Sequence, residues 1–104
     1  MNKNELLNKG FAHFSIQEFK EAAEYFDKAI ALDDKFDTAY NALAEAYNKM
    51  GELDKAIDTV KKQIEINPND PIAHTALSRL YVQKGMIEDA EREMAISNQL
   101  SMNQ

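Results

Sequence analysis

The chain has 104 residues, a net charge of -6 and no cysteine. The lack of cysteine excludes disulfides, thiol catalysis and zinc–thiolate sites, and an acidic chain without a basic patch is a poor partner for nucleic acid or an anionic membrane surface. No apolar run reaches the roughly 20 residues needed to span a bilayer, and the first residues lack the apolar stretch of a signal peptide, so we expect one cytoplasmic domain over residues 1–104.

Apolar residues recur at helical spacing along the whole chain and predict six amphipathic helices. The predicted helices span residues 4–15, 18–32, 37–50, 53–66, 71–84 and 87–100. Gly51 and Gly85 can take the left-handed conformation that ends the third and fifth helices. Asp70 followed by Pro71 predicts the start of the fifth, because the carboxylate caps free amides and proline needs no N–H there.

Small residues recur along these helices at a spacing of 34 residues, and they form two columns. The columns are Ala22, Ala56 and Ala90, and Gly10, Ala44 and Ser78. Small side chains allow two helices to cross nearly in contact, so we expect the helices of each pair to meet at these columns. The periods cover residues of about 3–36, 37–70 and 71–104, which predicts a stacked array of three helix pairs.

These periods resemble the tetratricopeptide repeat, a helix–turn–helix unit of 34 residues. The period 37–70 fits the family pattern best, with Tyr40, Leu43, Ala44, Ala46, Tyr47, Gly51, Leu53, Ala56, Ile57, Ile64 and Pro68 in its columns. The other two depart from it, with Lys9, His13 and Gln17 in the first and His74 and Met102 in the third. The resemblance implies an all-α fold, a right-handed superhelical α-solenoid of three antiparallel helix pairs. It also implies a concave groove, lined by the first helix of each pair, that binds a protein or peptide without catalysis.

The resemblance assigns residues to this groove. Those expected to contact a peptide are Leu7, Asn8, Phe11, Asn41, Glu45, Asn48, Lys49, Thr75, Arg79 and Val82, and the other groove-facing positions are Asn4, Phe14, Ser15, Thr38, Ala42, Ile72, Ala76 and Gln83. We expect Leu7 and Phe11 to form an apolar pocket, and the three asparagines to hydrogen-bond a peptide backbone. The alternative is that these residues form an ordinary solvated helix face.

Some members of the family bind the acidic tails of heat-shock chaperones through a clamp of Lys, Asn and Arg side chains. The matching columns here contain Leu7, Phe11, Ala42, Ile72 and Ala76. None of these side chains can donate a hydrogen bond to a carboxylate, so we expect no binding of such tails by this route.

Catalytic, metal and cofactor sites are not predicted. His13 and His74 occupy aromatic core columns of the repeat, which favours ring packing over metal binding. A catalytic carboxylate pair would require a pocket that raises one pKa, and the pattern indicates none. The dense acidic residues early in the second helices instead complement the helix dipole.

The third period has polar side chains at the positions on which a fourth repeat would pack. In these columns Glu91 follows Ala23 and Ile57, Ser97 follows Ala29 and Gln63, and Asn98 follows Ile30 and Ile64. This pattern predicts a third pair that caps itself and a monomeric chain. Met94, Ile96, Leu100 and Met102, here called the C-terminal strip, leave a second interpretation open. In that interpretation the protein has a structural or assembly role, and the strip or the convex face forms a weak homo-oligomer or contacts a partner.

Overall fold

The computed structural model describes residues 1–103, and within that range it contains six α-helices and no strand. The helices are α1 (Lys3–Ser15), α2 (Phe19–Leu32), α3 (Asp37–Lys49), α4 (Leu53–Ile66), α5 (Pro71–Lys84) and α6 (Ile87–Met102). The six predicted helices are therefore confirmed, with small shifts at their ends. They form three antiparallel pairs, α1–α2, α3–α4 and α5–α6, and each second helix also packs on the first helix of the next pair.

Two helix starts show side-chain capping. The Asn2 side chain accepts a hydrogen bond from the Glu5 N–H at 2.8 Å, and the Asn2 N–H donates to the Glu5 carboxylate at 3.2 Å. Asp70 accepts from the Ile72 N–H at 2.9 Å, with Pro71 in the first turn. The predicted start at Asp70 is confirmed, and the cap at Asn2 satisfies two backbone groups that α1 alone leaves unpaired.

The turn inside each pair has the same backbone geometry. One residue takes a left-handed conformation in each turn, with φ of 65° at Gln17, 76° at Gly51 and 83° at Gly85. The prediction for the two glycines is confirmed. Gln17 is not a glycine, and its left-handed conformation is therefore disfavoured by about 1–2 kcal/mol, because Cβ approaches the following carbonyl oxygen.

Two groups of buried side chains make up the core. The first lies between α1, α2 and α3 around Phe26, and the second lies between α3, α4, α5 and α6 around Leu77. Tyr47 on α3 packs against both. Ala22, Ala56 and Ala90 are all buried, as close helix crossings require. The core thus fixes α1, α3 and α5 side by side on one face of the array.

Candidate functional site

The first helices of the three pairs line two adjoining cavities, and the surface that contains both is called the groove below. The apolar cavity has a volume of about 230 Å³ and is lined by Phe11, Phe14, Thr38, Asn41, Ala42 and Glu45. The polar cavity has a volume of about 120 Å³ and is lined by Asn41, Ala44, Glu45, Asn48, Val60, Ala76, Arg79, Leu80 and Gln83. Asn41 and Glu45 line both, so the two cavities meet at α3.

Aromatic rings on α2 orient the walls of the apolar cavity. The ring of Phe11 is 43% exposed and meets the fully buried ring of Phe26 edge to face, with centroids 5.3 Å apart. Phe14 contacts Phe19 in the same way, with centroids 5.0 Å apart. Edge-to-face contacts add to the stability gained from area burial and restrict ring orientation. The apolar wall is therefore formed before any ligand arrives.

Leu7 does not belong to this wall. Its side chain is only 9% exposed and packs in the core between α1, α2 and α3 with Leu6 and Leu43. The prediction that Leu7 offers an apolar contact surface is therefore wrong. Phe14, three residues beyond Phe11 and on the same helix face, lines the cavity with it instead.

Two opposite charges border the polar cavity. Glu45 on α3 and Arg79 on α5 are both exposed and line it together. Among residues 1–103, neither of them takes part in an ion pair. Asn48 is half-buried beside them and brings an amide group, which can both donate and accept. This arrangement leaves one anionic and one cationic group available to a ligand.

The other predicted groove residues have different environments. The Thr75 hydroxyl is 2.6 Å from the Ser97 hydroxyl, which in turn donates to the Pro71 carbonyl at 2.9 Å. Thr75 therefore links α5 to α6, and its only proton is used inside the fold. Asn8, Lys49 and Val82 are exposed on α1, α3 and α5.

The sequence pattern predicts close helix packing at Ala44, and the polar cavity shows that Ala44 also forms part of its lining, together with Val60 and Leu80. Val60 comes from the second helix of its pair, outside the set that the resemblance places in the groove. Its side chain is only 1% exposed and lines the cavity together with Ala44 and Ala76, which the repeat pattern does not reveal.

The sequence profile of the tetratricopeptide repeat matches residues 17–80, which is more than half of the chain. The chain belongs to the tetratricopeptide repeat family. It is 31% identical over 83 residues to the BBSome complex member BBS4 of Bos taurus, covering 80% of this chain and 16% of that protein. It is 36% identical over 95 residues to the STIP1 homolog of Dictyostelium discoideum, covering 85% of this chain and 16% of that protein. The chain thus spans about a sixth of the length of these two relatives.

Solved structures share the fold. The crystal structure of MamA superposes with a TM-score of 0.93 at 29% identity, covering 98% of this chain and 60% of that one. The Yersinia enterocolitica chaperone SycD, in complex with a peptide of the translocator YopD, superposes with a TM-score of 0.87 at 20% identity, covering 93% and 74%. At that identity the likeness to SycD concerns the fold alone. The predicted all-α, right-handed solenoid of three helix pairs is confirmed, and the family supports a protein–protein interaction module.

Both histidines of this tetratricopeptide array lie within hydrogen-bond distance of a carboxylate, and His13 also stacks on an aromatic ring. His74 is buried, with Nδ1 2.7 Å from the Glu93 carboxylate and Nε2 3.1 Å from the Pro68 carbonyl oxygen. His13 stacks on Tyr25 with centroids 5.2 Å apart, and its Nδ1 lies 2.7 Å from the Glu18 carboxylate. Within residues 1–103, His, Asp and Glu side chains form no group of three or more that could hold a metal ion.

Away from the groove, a third cavity of about 430 Å³ lies between α2, α3 and α4, and Asp27 and Tyr47 line it. Burial raises the pKa of Asp27, and Lys62 and Lys55 oppose this effect. Burial also raises the pKa of Tyr47, and the negative charges of Asp27 and Glu52 add to it. The carboxylate of Asp27 is therefore less favourable in the folded chain than in water, which is a stability effect rather than a sign of chemistry.

The last helix of the tetratricopeptide array has a mixed outer face. Glu91 and Asn98 are exposed, whereas Ala23 and Ile57 in the earlier repeats are buried. Ser97 differs from the expectation that it would face a fourth repeat, because it is 4% exposed and hydrogen-bonded to α5.

The C-terminal strip is only partly covered. Met94 and Leu100 are half-buried, while Ile96 is 40% and Met102 is 84% exposed.

No helix in the described part of the chain has both the length and the apolar character that crossing a membrane requires.

Proposed function

We propose that this chain binds an extended peptide segment of a partner protein in the groove, without catalysing a reaction on it. The observation behind the proposal is the pair of adjoining cavities that meet at Asn41 and Glu45. Their volumes of about 230 and 120 Å³ are below the roughly 300–1,000 Å³ of typical small-molecule sites. Two small adjoining depressions fit successive side chains of a peptide better than they fit one compact metabolite.

Different residues of the groove contact different parts of the peptide. An apolar side chain of the partner enters between Phe11 and Phe14, and burying such a side chain fully contributes about 1.5–3 kcal/mol. Asn41 stands between the cavities, where its amide can donate to and accept from a peptide backbone. The SycD complex supports peptide binding by this architecture, because a protein of the same fold there is in complex with a peptide.

We also propose that the chain does not bind acidic chaperone tails through the carboxylate clamp. Two of the five matching positions, Leu7 and Ala42, are buried apolar side chains, and exposed Phe11 and Ile72 cannot donate a hydrogen bond. An acidic tail would therefore meet apolar surface where the clamp requires cations and amides.

The test is a selection of random twelve-residue peptides displayed on phage against the immobilised protein. Peptides enriched on the wild type are synthesised and their affinities measured for Phe11→Ala, Asn41→Ala and Leu32→Ala. Leu32 is the matched control, because it is an exposed apolar residue on α2, outside the groove. We expect about a tenfold or greater loss for Phe11→Ala, a smaller loss for Asn41→Ala and no change for the control. Equal affinities in all three variants, with folding confirmed by circular dichroism, would contradict groove binding.

An assembly role is the second candidate, and the exposure of Ile96 and Met102 in the C-terminal strip favours it. In this case the strip buries against a second copy. Sedimentation velocity over a hundredfold range of concentration distinguishes the two: a species that stays monomeric throughout contradicts self-association, whereas dimers that the double variant Ile96→Ser, Met102→Ser abolishes support it.

A further inference from the structure

Phe11, Glu45 and Arg79 occupy the same repeat position on α1, α3 and α5. Phe11 lines the apolar cavity, Glu45 lines both cavities and Arg79 lines the polar cavity. All three side chains are exposed. A segment that crosses the three helices therefore meets an apolar, an anionic and a cationic group in that order.

The two charges have no competing partner inside the fold. Six ion pairs occur within residues 1–103, and each of them joins side chains other than Glu45 and Arg79. The two residues line the same cavity and are still not paired with each other. A ligand that pairs with either charge therefore breaks no existing ion pair, so the charge pattern can select among ligands.

The distance between the first helices determines how far apart the contacting side chains of the ligand must be. α1 and α3 contact each other directly and α3 and α5 line one cavity, so we set the step between successive first helices at about 8–10 Å, the usual distance between packed helices. A polyproline II segment rises about 3.1 Å per residue with three residues per turn, so residues i, i+3 and i+6 share one face at about 9 Å intervals. Three successive side chains on that face match the three helices of the groove.

From this correspondence we infer that the partner segment contains an apolar, a basic and an acidic residue at positions i, i+3 and i+6, contacting Phe11, Glu45 and Arg79 respectively. This inference rests on the proposed function, since it specifies the chemistry of the segment bound in the same groove. The basic residue pairs with the Glu45 carboxylate, and the acidic residue accepts hydrogen bonds from the Arg79 guanidinium, whose forked donors suit a carboxylate. The apolar residue enters the cavity beside Phe11.

The test compares phage selections of random twelve-residue peptides on three immobilised proteins: the wild type, the charge-exchanged variant Glu45→Arg, Arg79→Glu, and a control variant Lys62→Glu, Glu65→Lys. The two variants keep the net charge, and all four residues are exposed. The control exchange lies on α4, outside both cavities.

We expect the wild type and the control to enrich the order apolar–x–x–basic–x–x–acidic, and the charge-exchanged variant to enrich apolar–x–x–acidic–x–x–basic. Peptides from the wild-type selection should bind the charge-exchanged variant about tenfold more weakly, with the difference shrinking at high salt. If the wild type and the charge-exchanged variant enrich the same peptides, the charge order is wrong while peptide binding stands. If the peptides enriched on the wild type bind Phe11→Ala as tightly as they bind the wild type, groove binding itself fails, and the charge order fails with it.

Discussion

Gly10 on α1 lies directly against the ring of Phe26 on α2. A Cβ added at position 10 would lie 2.6 Å from Cδ1 of that ring and nearer still to Cε1. The ring is fully buried and cannot move into solvent. The same ring orients Phe11 in the apolar cavity, so this close approach connects the core of the first repeat to the groove.

Gly10→Ala should therefore destabilise the fold by about 1–3 kcal/mol, although alanine is the better helix former, because the core would be overpacked. Chemical denaturation measures the change. The second repeat has Ala44 and Val60 at the positions of Gly10 and Phe26. In a Phe26→Val background, Gly10→Ala should accordingly be neutral or stabilising. An undiminished loss in that background would mean that the ring is not the cause.

Gln17→Gly should stabilise the chain by about 1 kcal/mol, because glycine adopts a φ of 65° without the steric penalty. Gly51→Gln is the matched reverse exchange at the same turn position of the second repeat. A Cβ at Gly51 would meet open space among the described residues, so backbone strain alone should make that variant less stable. The prediction fails if thermal unfolding shifts both variants in the same direction.

Most of the fold was predictable because the signals are local. Apolar residues at helical spacing, two glycines and an Asp–Pro step define helix ends within a few residues, and three periods in register define the pairs. The groove was predictable only in part. Leu7 and Phe11 lie one helical turn apart on α1, and the spacing alone could not show that one is buried in the core and the other lines the cavity. The hydrogen bond between His74 and Glu93 depends on how α5 and α6 pack, which residue type does not reveal. The binding of a peptide remains a prediction.

Lys3→Met should be less stable than wild type at neutral pH, and this difference should disappear at low pH. The Lys3 ammonium lies 2.5 Å from the Asp33 carboxylate, and this hydrogen bond, with help from the Lys35 N–H, lowers the pKa of Asp33. A carboxyl group whose pKa is lower in the folded state stabilises the fold above its unfolded pKa, and that stabilisation disappears as the pH falls through the folded pKa. The melting temperatures of wild type and Lys3→Met should therefore differ at pH 7 and converge near pH 2. A difference that persists unchanged at pH 2 would point to lost contact between Lys3 and the Phe36 ring instead.

Asp27→Asn should be more stable than wild type at neutral pH, which is the opposite of the effect expected for Lys3→Met. Burial raises the pKa of Asp27, so the ionised carboxyl destabilises the fold at neutral pH, and its contribution becomes less favourable as the pH rises through the unfolded and then the folded pKa. We expect the variant to melt at a higher temperature than wild type at pH 7 and at the same temperature near pH 3. Asp58→Asn, on α4, serves as a control for removing one negative charge. If both variants stabilise equally, the cause is the net charge of -6 rather than burial of Asp27.

His74→Phe tests whether the third repeat needs the polar ring that replaces the usual aromatic one. Phenylalanine would fill the buried position but has no N–H to donate, either to the Glu93 carboxylate, which is 20% exposed, or to the Pro68 carbonyl. A buried acceptor that loses its donor destabilises by about 1–3 kcal/mol, so the variant should unfold at lower denaturant concentration than wild type. Adding Glu93→Leu removes the stranded carboxylate and should recover part of the loss. If the single variant matches wild type, the hydrogen bonds of His74 contribute nothing measurable to the free energy of unfolding, and packing of the ring is its whole contribution.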